Sequence, residues 1–205
     1  TDIWEGGMPG YLIWLNARLL EMKRLLKPTG SIFVHLDYHA SHYVKLELDK
    51  IFGYENFRNE IVWNYGHLAT LPKKEFPKKH DIILLYSKSK DYKYFPDIIP
   101  SKKDITRNYP LVDEEGQHYR WVTLIDKEGK SYKKKRIASR INIGGVPVSN
   151  VWDIPVINPM AIERIGYPTQ KPEALINRII KTTSVEGDVV ADFFCGGGTT
   201  PTVAQ

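Results

Sequence analysis

Between residues 11 and 26 apolar side chains recur every three or four positions, with Leu12, Leu15, Leu19, Met22 and Leu26 on one stripe. That period predicts an amphipathic helix, ended by the turn Lys27-Pro28-Thr29-Gly30. Ser31-Ile32-Phe33-Val34-His35-Leu36 is nearly all apolar and rich in β-formers, and predicts a buried parallel strand. It runs out into Asp37-Tyr38-His39, polar residues at a strand's carboxyl end, where open α/β sheets place their ligands. A second helix is predicted over 41–52, with Val44, Leu48 and Ile51 inward and Gly53 as its stop. Glu60–Tyr65 and Asp81–Ser87 read as two further strands.

From about 88 to 165 the periodicity dissolves into mixed prolines, glycines, tyrosines and lysines. Only His118–Leu124 alternates, as a hairpin arm ahead of a turn at Asp126–Gly129 would. This stretch reads as an insertion with its own local structure. Order returns at Pro172, which suits the first turn of a helix burying Leu175, Ile176, Ile179 and Ile180. Glu186-Gly187-Asp188 then leads into a predicted terminal strand, Val189-Val190-Ala191-Asp192, that meets a glycine-rich turn. The order of elements predicts an α/β layered fold in three segments: 1–87, an inserted module over 88–165, and 166–205.

Composition narrows the class. The 42% hydrophobic and 26% charged fractions are those of an ordinary globular protein, so the chain has enough apolar residues for a packed core. The single cysteine, Cys195, excludes a disulfide framework and a cysteine-rich zinc site, and no metal site is predicted. No apolar run is long enough to span a bilayer and the first residues do not read as a signal peptide, so no membrane partner is expected. The net charge of +5 gains meaning from its distribution. Lys73, Lys74, Lys78, Lys79, Lys88, Lys90, Lys93, Lys102 and Lys103 form one group; Lys127, Lys130, Lys133, Lys134, Lys135, Arg136 and Arg140 form another. Charge alone leaves two readings level, a solvated loop surface and a phosphate-contacting patch.

The candidate chemistry lies at the far end of the chain. Gly196-Gly197-Gly198 lets backbone amides approach a ligand, but it has neither the third glycine of the dinucleotide fingerprint nor the lysine of a P-loop. By itself it is as compatible with a tight turn that binds nothing. Tyr167-Pro168-Thr169-Gln170-Lys171-Pro172 adds polar groups at a helix start, where free N–H groups and the helix dipole favour a carboxylate. The competing reading is a capped helix with an exposed lysine.

Taken together, Thr169-Gln170-Lys171-Pro172 and Asp192-Phe193-Phe194-Cys195-Gly196-Gly197-Gly198-Thr199-Thr200 resemble two motifs of one family. These are the amino-methylating DNA methyltransferases, which use S-adenosylmethionine and modify adenine N6 or cytosine N4. The departures are Phe193, where that family usually has Pro, and Gly197, where Ser is common. Lys27–Asp37, Ile51–Phe57 and Ile61–Trp63 are similar to the family's post-catalytic half. A glycine loop that comes last, where nucleotide folds normally place it first, resembles the permuted (beta-type) subgroup found among restriction–modification methylases. The implied fold is a Rossmann-like sheet with helices on both faces, permuted and incomplete, carrying an inserted target-recognition region.

By this resemblance Asp192, Phe194, Gly196 and Gly198 line the cofactor, Thr169, Gln170, Lys171 and Pro172 hold its amino-acid end, and Thr199 and Thr200 open the helix behind it. Trp63 and Tyr65 are candidates for stacking on a flipped base, with sheet core as the competing reading. Lys133, Lys134, Lys135 and Arg136 are candidates for DNA contact. The implied activity is methyl transfer from S-adenosylmethionine to adenine N6 in DNA, with cytosine N4 or a non-catalytic DNA-binding remnant as alternatives. A third reading is an α/β nucleotide-binding enzyme acting on RNA or a small molecule. Double-stranded DNA and a restriction endonuclease subunit are the implied partners, and the cytoplasm of a prokaryote or a phage host is the implied location.

The family's catalytic Asp-Pro-Pro-Tyr does not occur in the sequence. In the permuted order it is expected upstream of Thr1, so no catalytic residue is assigned, and both ends are expected to continue in a longer protein. In the family's sheet, the strand leading to that motif lies between the glycine-loop strand and residues 31–36. Its absence predicts unpaired backbone, exposed apolar faces and no methyl transfer by the 205-residue chain.

Overall fold

A computed structural model describes residues 5–66, 73–100, 106–138 and 145–205. Two compact units emerge: Thr1–Phe95 with Ser149–Gln205, and Pro96–Val148.

The first unit is built on a mixed sheet. Helix α1 (Gly7–Leu25) starts ahead of the apolar stripe, because Pro9 sits in its first turn, where a missing N–H costs nothing. It buries Leu15, Leu19 and Met22. Strand β1 (Ser31–Leu36) and helix α2 (Ser41–Phe52) follow as the pattern predicts, and α2 ends at Gly53 with φ 91°. Strands β2 (Phe57–Asn64) and β3 (His80–Ser87) complete a helix-backed layer. Leu36, Leu84 and Tyr86 of the sheet pack with Leu15, Leu19, Met22, Val44, Leu48 and Phe52 of α1 and α2 to form the core.

Three expectations are corrected here. Strand β1 is not a parallel interior strand. It pairs only with β3, antiparallel, from Ser31 opposite Ser87 to Leu36 opposite Ile82, and only Leu36 is fully buried. An apolar run reports burial of the faces, not the direction of the neighbouring strand. The predicted strand Val189–Asp192 forms no ladder with any described strand, leaving Val189 83% exposed. A strand exists only where a neighbour takes its N–H and C=O groups, and among the described residues none lies beside this one.

The third correction concerns the insertion. Its strands β4 to β8 belong to the second unit, but β9 (Val151–Asp153) returns to the first and runs parallel to β2, with Trp152 opposite Trp63. The sheet order is β1-β3-β2-β9. Residues 149–165, expected to be outside the layered core, therefore supply its last strand. Three residues are too few to show a period. The unit continues through α3 (Glu173–Thr183), which buries Leu175 and Thr182, to α4 (Thr199–Ala204).

The second unit holds a short antiparallel pair, β4 (Ile98–Ile99) with β8 (Val146–Pro147), and a three-stranded antiparallel sheet. In that sheet β5 (Leu111–Val112) pairs with β6 (His118–Ile125), which pairs with β7 (Ser131–Ile137). The β6–β7 turn is set by Asp126, whose carboxylate accepts the N–H groups of Glu128 and Lys130, with Gly129 at φ 82°. This is the hairpin that the alternation at 118–124 predicts.

Candidate functional site

The glycine loop is held by its first residue. Asp192 Oδ1 accepts the Phe194 N–H at 3.0 Å, and Oδ2 accepts the Thr200 hydroxyl at 2.6 Å. One carboxylate thus joins the end of the extended segment to the start of α4. Gly196 (φ 49°) and Gly198 (φ 79°) adopt the left-handed conformation, and the Gly198 N–H closes the turn onto the Cys195 carbonyl at 2.7 Å. Thr199 and Thr200 are the first residues of α4. The Phe194 ring lies 5.6 Å from Trp14 of α1.

The second motif folds against the first. A Cβ on Gly196 would stand 2.9 Å from the Tyr167 ring, and one on Gly197 2.9 Å from Ile165 Cδ1. Residues 165–167 therefore lie directly on the glycines. Both ends of the Gln170 amide hold that segment, Nε2 donating to the Glu163 carbonyl at 2.6 Å and Oε1 accepting the Ile165 N–H at 3.0 Å. Pro172 is buried as the N-cap of α3, and Thr169 is exposed. The first N–H of α3, on Glu173, donates to the Glu163 carboxylate at 3.0 Å. That helix start, expected to be open, already carries a carboxylate from its own chain, as its dipole favours.

Lys171 is not an exposed lysine. It is half-buried, and its ammonium donates to the Thr169 carbonyl at 2.8 Å. Burial lowers its pKa while the charge of Asp81 works the other way. Asp81, at the start of β3, accepts a hydrogen bond from the Tyr65 hydroxyl at 3.3 Å and pairs with His35 Nε2 at 2.8 Å. Burial acts to raise the Asp81 carboxyl, but the bond and charge of His35, the Tyr65 bond and the Lys171 charge together hold it below its ordinary value. The Tyr65 hydroxyl is pushed up by burial and by that carboxylate. The sequence offered a signal for this cluster: His35 and Asp81 are the polar exceptions in two otherwise apolar runs. Glu163 and Tyr167 carried no comparable signal.

Trp63 is overturned as a stacking residue. It is 3% exposed, its indole N–H donates to the Ile154 carbonyl at 2.7 Å, and its ring packs edge-on to His35 and Tyr65. Tyr65 is partly accessible, with its hydroxyl committed to Asp81.

Of the basic groups, several serve the fold. Lys88 donates to the Leu26 and Arg24 carbonyls at the end of α1, and Lys93 pairs with Asp188. Lys102, Lys103 and Arg140 fall outside the described residues. Lys133, Lys134, Lys135 and Arg136 lie exposed on β7 of the second unit, where Lys135 pairs with Asp113 at 2.6 Å. Among the described residues no His, Cys, Asp and Glu group is arranged to hold a metal ion, and no helix is long and apolar enough to cross a membrane.

The two motifs are thus one structure, a glycine loop covered by the segment that leads into α3. A family model described as DNA methylase, of the N6/N4 type, matches residues 5–205. The chain belongs to this family. It is 31% identical over 204 residues to the DNA adenine methyltransferase YhdJ of Escherichia coli K12, covering 99% of this chain and 61% of that relative. It is 30% identical over 202 residues to the type II methyltransferase M.BglII of Bacillus subtilis, covering 95% of this chain and 50% of the relative. The chain therefore spans between half and about three-fifths of these curated relatives. The fold matches TTHA0409 of Thermus thermophilus, a DNA modification methylase by its description, solved with S-adenosyl-L-methionine. There the TM-score is 0.55 at 20% identity, over 100% of this chain and 72% of that one.

Proposed function

We propose that the protein to which this chain belongs methylates the exocyclic N6 amine of adenine in double-stranded DNA, with S-adenosylmethionine as donor. One observation carries the reading. The glycine loop and the segment that runs through Thr169–Pro172, separate in sequence, form a single cradle next to a helix start that accepts a carboxylate. The residues fit the group. Gly196 and Gly198 leave the loop backbone free of side chains, Asp192 fixes its shape, and α3 offers N–H groups of the kind that now bind Glu163. When bound, the cofactor supplies the methyl group.

In this reading Asp192, Phe194, Gly196 and Gly198 border the cofactor, and Thr199 and Thr200 anchor the loop to α4. Thr169, Gln170, Lys171 and Pro172 shape the site for its amino-acid end, with Gln170 and Lys171 acting through their bonds to Glu163, Ile165 and Thr169. The adenine preference follows the adenine methyltransferase YhdJ. The segments 1–87 and 166–205 are read as the catalytic-side and cofactor-side parts of the methyltransferase domain. The second unit is read as the target-recognition region, with the cations of β7 on DNA. A restriction endonuclease subunit is a partner implied by the family resemblance, and the cytoplasm is the corresponding location.

The test is isothermal calorimetry of the full-length protein with S-adenosylmethionine, ATP and NAD, followed by mass spectrometry of nucleosides from DNA treated with protein and cofactor. Selective binding of S-adenosylmethionine and appearance of N6-methyladenine are expected. Binding of ATP or NAD in its place, or N4-methylcytosine as the product, refutes the reading or its adenine assignment respectively.

A further inference from the structure

The β6–β7 hairpin is a cationic ribbon whose two faces differ. Register places Tyr119, Trp121, Thr123 and Ile125 opposite Ile137, Lys135, Lys133 and Ser131 on one face. Arg120, Val122 and Leu124 lie opposite Arg136, Lys134 and Tyr132 on the other. Neither strand contains an acidic residue.

The first face is internally compensated. Lys135 is bonded to Asp113 and stands 4.5 Å over the Tyr119 ring, which itself packs edge-on to Trp121. The second face is not. Arg120 and Arg136 are directly cross-strand, and Lys134 sits two residues before Arg136 on the same strand. No acidic side chain pairs with any of the three among the described residues. Arg120 stacks over the Tyr109 ring, yet its Nε is buried without a hydrogen-bond partner. Like charges directly opposite each other destabilise a ladder, so this arrangement weakens the free hairpin. A surface that keeps such a pair is matched to an external polyanion, which supplies the missing counter-charge.

We infer that the Arg120–Lys134–Arg136 face of this ribbon is the one that meets DNA, entering the major groove of a duplex, with Lys134 and Arg136 as its direct contacts. This rests on the reading of the second unit as the target-recognition region and divides the four cations of β7 by role. A two-stranded ribbon fits a major groove about 12 Å wide. Lys134 and Arg136 are about 7 Å apart along the strand and point the same way. Lys134 suits a phosphate, and the Arg136 guanidinium suits either a phosphate or the paired acceptors of guanine. Lys135 is instead a staple within the unit, and Lys133 lies on the face that the ribbon turns away.

The experiment uses the 205-residue chain and a fluorescein-labelled DNA duplex of random sequence, about two helical turns long. Anisotropy is read between about 50 and 200 mM salt for the parent and for Lys133→Gln, Lys134→Gln, Lys135→Gln and Arg136→Gln. Each lost phosphate contact makes the slope of log affinity against log salt shallower by about 0.9, so the loss of affinity across that range shrinks about threefold. That change is expected for Lys134→Gln and Arg136→Gln, and no change for Lys133→Gln and Lys135→Gln. Urea unfolding gives a second, independent readout. Arg136→Gln relieves the like-charge pair and leaves the midpoint unchanged or raised, whereas Lys135→Gln lowers it by freeing Asp113.

Slope changes confined to Lys133 and Lys135, or equal at all four positions, overturn the assignment of the face while leaving DNA binding intact. Absence of duplex binding at about 50 mM salt overturns both this inference and the target-recognition reading beneath it. A duplex RNA of the same length provides the last arm. Its major groove is too narrow and deep for side chains to read, so equal affinity for RNA refutes groove entry.

Discussion

Replacing Asp81 with Asn tests whether the cluster beneath Lys171 is held by charge. The carboxylate accepts the Tyr65 hydroxyl and pairs with His35 at 2.8 Å, with side chains about a quarter exposed on both partners. An exposed ion pair contributes roughly 0.2–1 kcal/mol, and a hydrogen bond to a charged group in a drier setting roughly 1.5–3 kcal/mol. Partial solvent access places Asp81→Asn between them, at about 1–2 kcal/mol lost near neutral pH. The pH dependence gives the sharper criterion. The folded-state pKa of Asp81 is depressed, so below its ordinary value near 3.8 the unfolded chain binds the proton more readily than the folded one. Its stabilisation is therefore complete above that value and is lost as pH falls through the depressed folded-state value. Urea unfolding of parent and variant at a series of pH values measures the difference directly. A gap of about 1–2 kcal/mol near neutral pH that narrows below about pH 4 is expected. A gap independent of pH shows that the aspartate acts by shape and hydrogen bonding alone, and the charge argument fails.

Two further outcomes concern the site and its support. Gly196→Ala places an L residue at φ 49° and a Cβ 2.9 Å from the Tyr167 ring, so stability should fall by about 1–2 kcal/mol from the backbone alone. Adding Tyr167→Ala should recover only the steric part in a double-mutant cycle, and strict additivity would place Tyr167 away from the loop. Trp63→Phe removes the indole bond to Ile154, which ties β2 to the segment after β9, and should cost about 1–3 kcal/mol of stability, as for a buried carbonyl left unpaired. A variant as stable as the parent, read by thermal unfolding, would restore Trp63 as a free aromatic.

The sequence by itself was sufficient for the local elements and for the family. Periods of 3.6 and 2 located α1, β1, α2, β2 and β3, because each element buries one face and the burial is written in the spacing of apolar residues. The two motifs pointed to the DNA methylase family, because a glycine at positive φ and polar groups at a helix start are local requirements of backbone geometry. What spacing cannot encode is which strand lies beside which. Only the tertiary structure turned β1 antiparallel to β3, recruited three residues around Trp152 as a sheet strand, and left Val189–Asp192 without a ladder, since strand pairing depends on partners distant in sequence. The same reason separates the candidate residues. Trp63 became core because its partner, Ile154, comes 91 positions later, and Lys171 feels the charge of Asp81, which sits on a strand far earlier in the chain. The four cations of β7 are one run in the sequence, and only the register of the ribbon divides them between two faces.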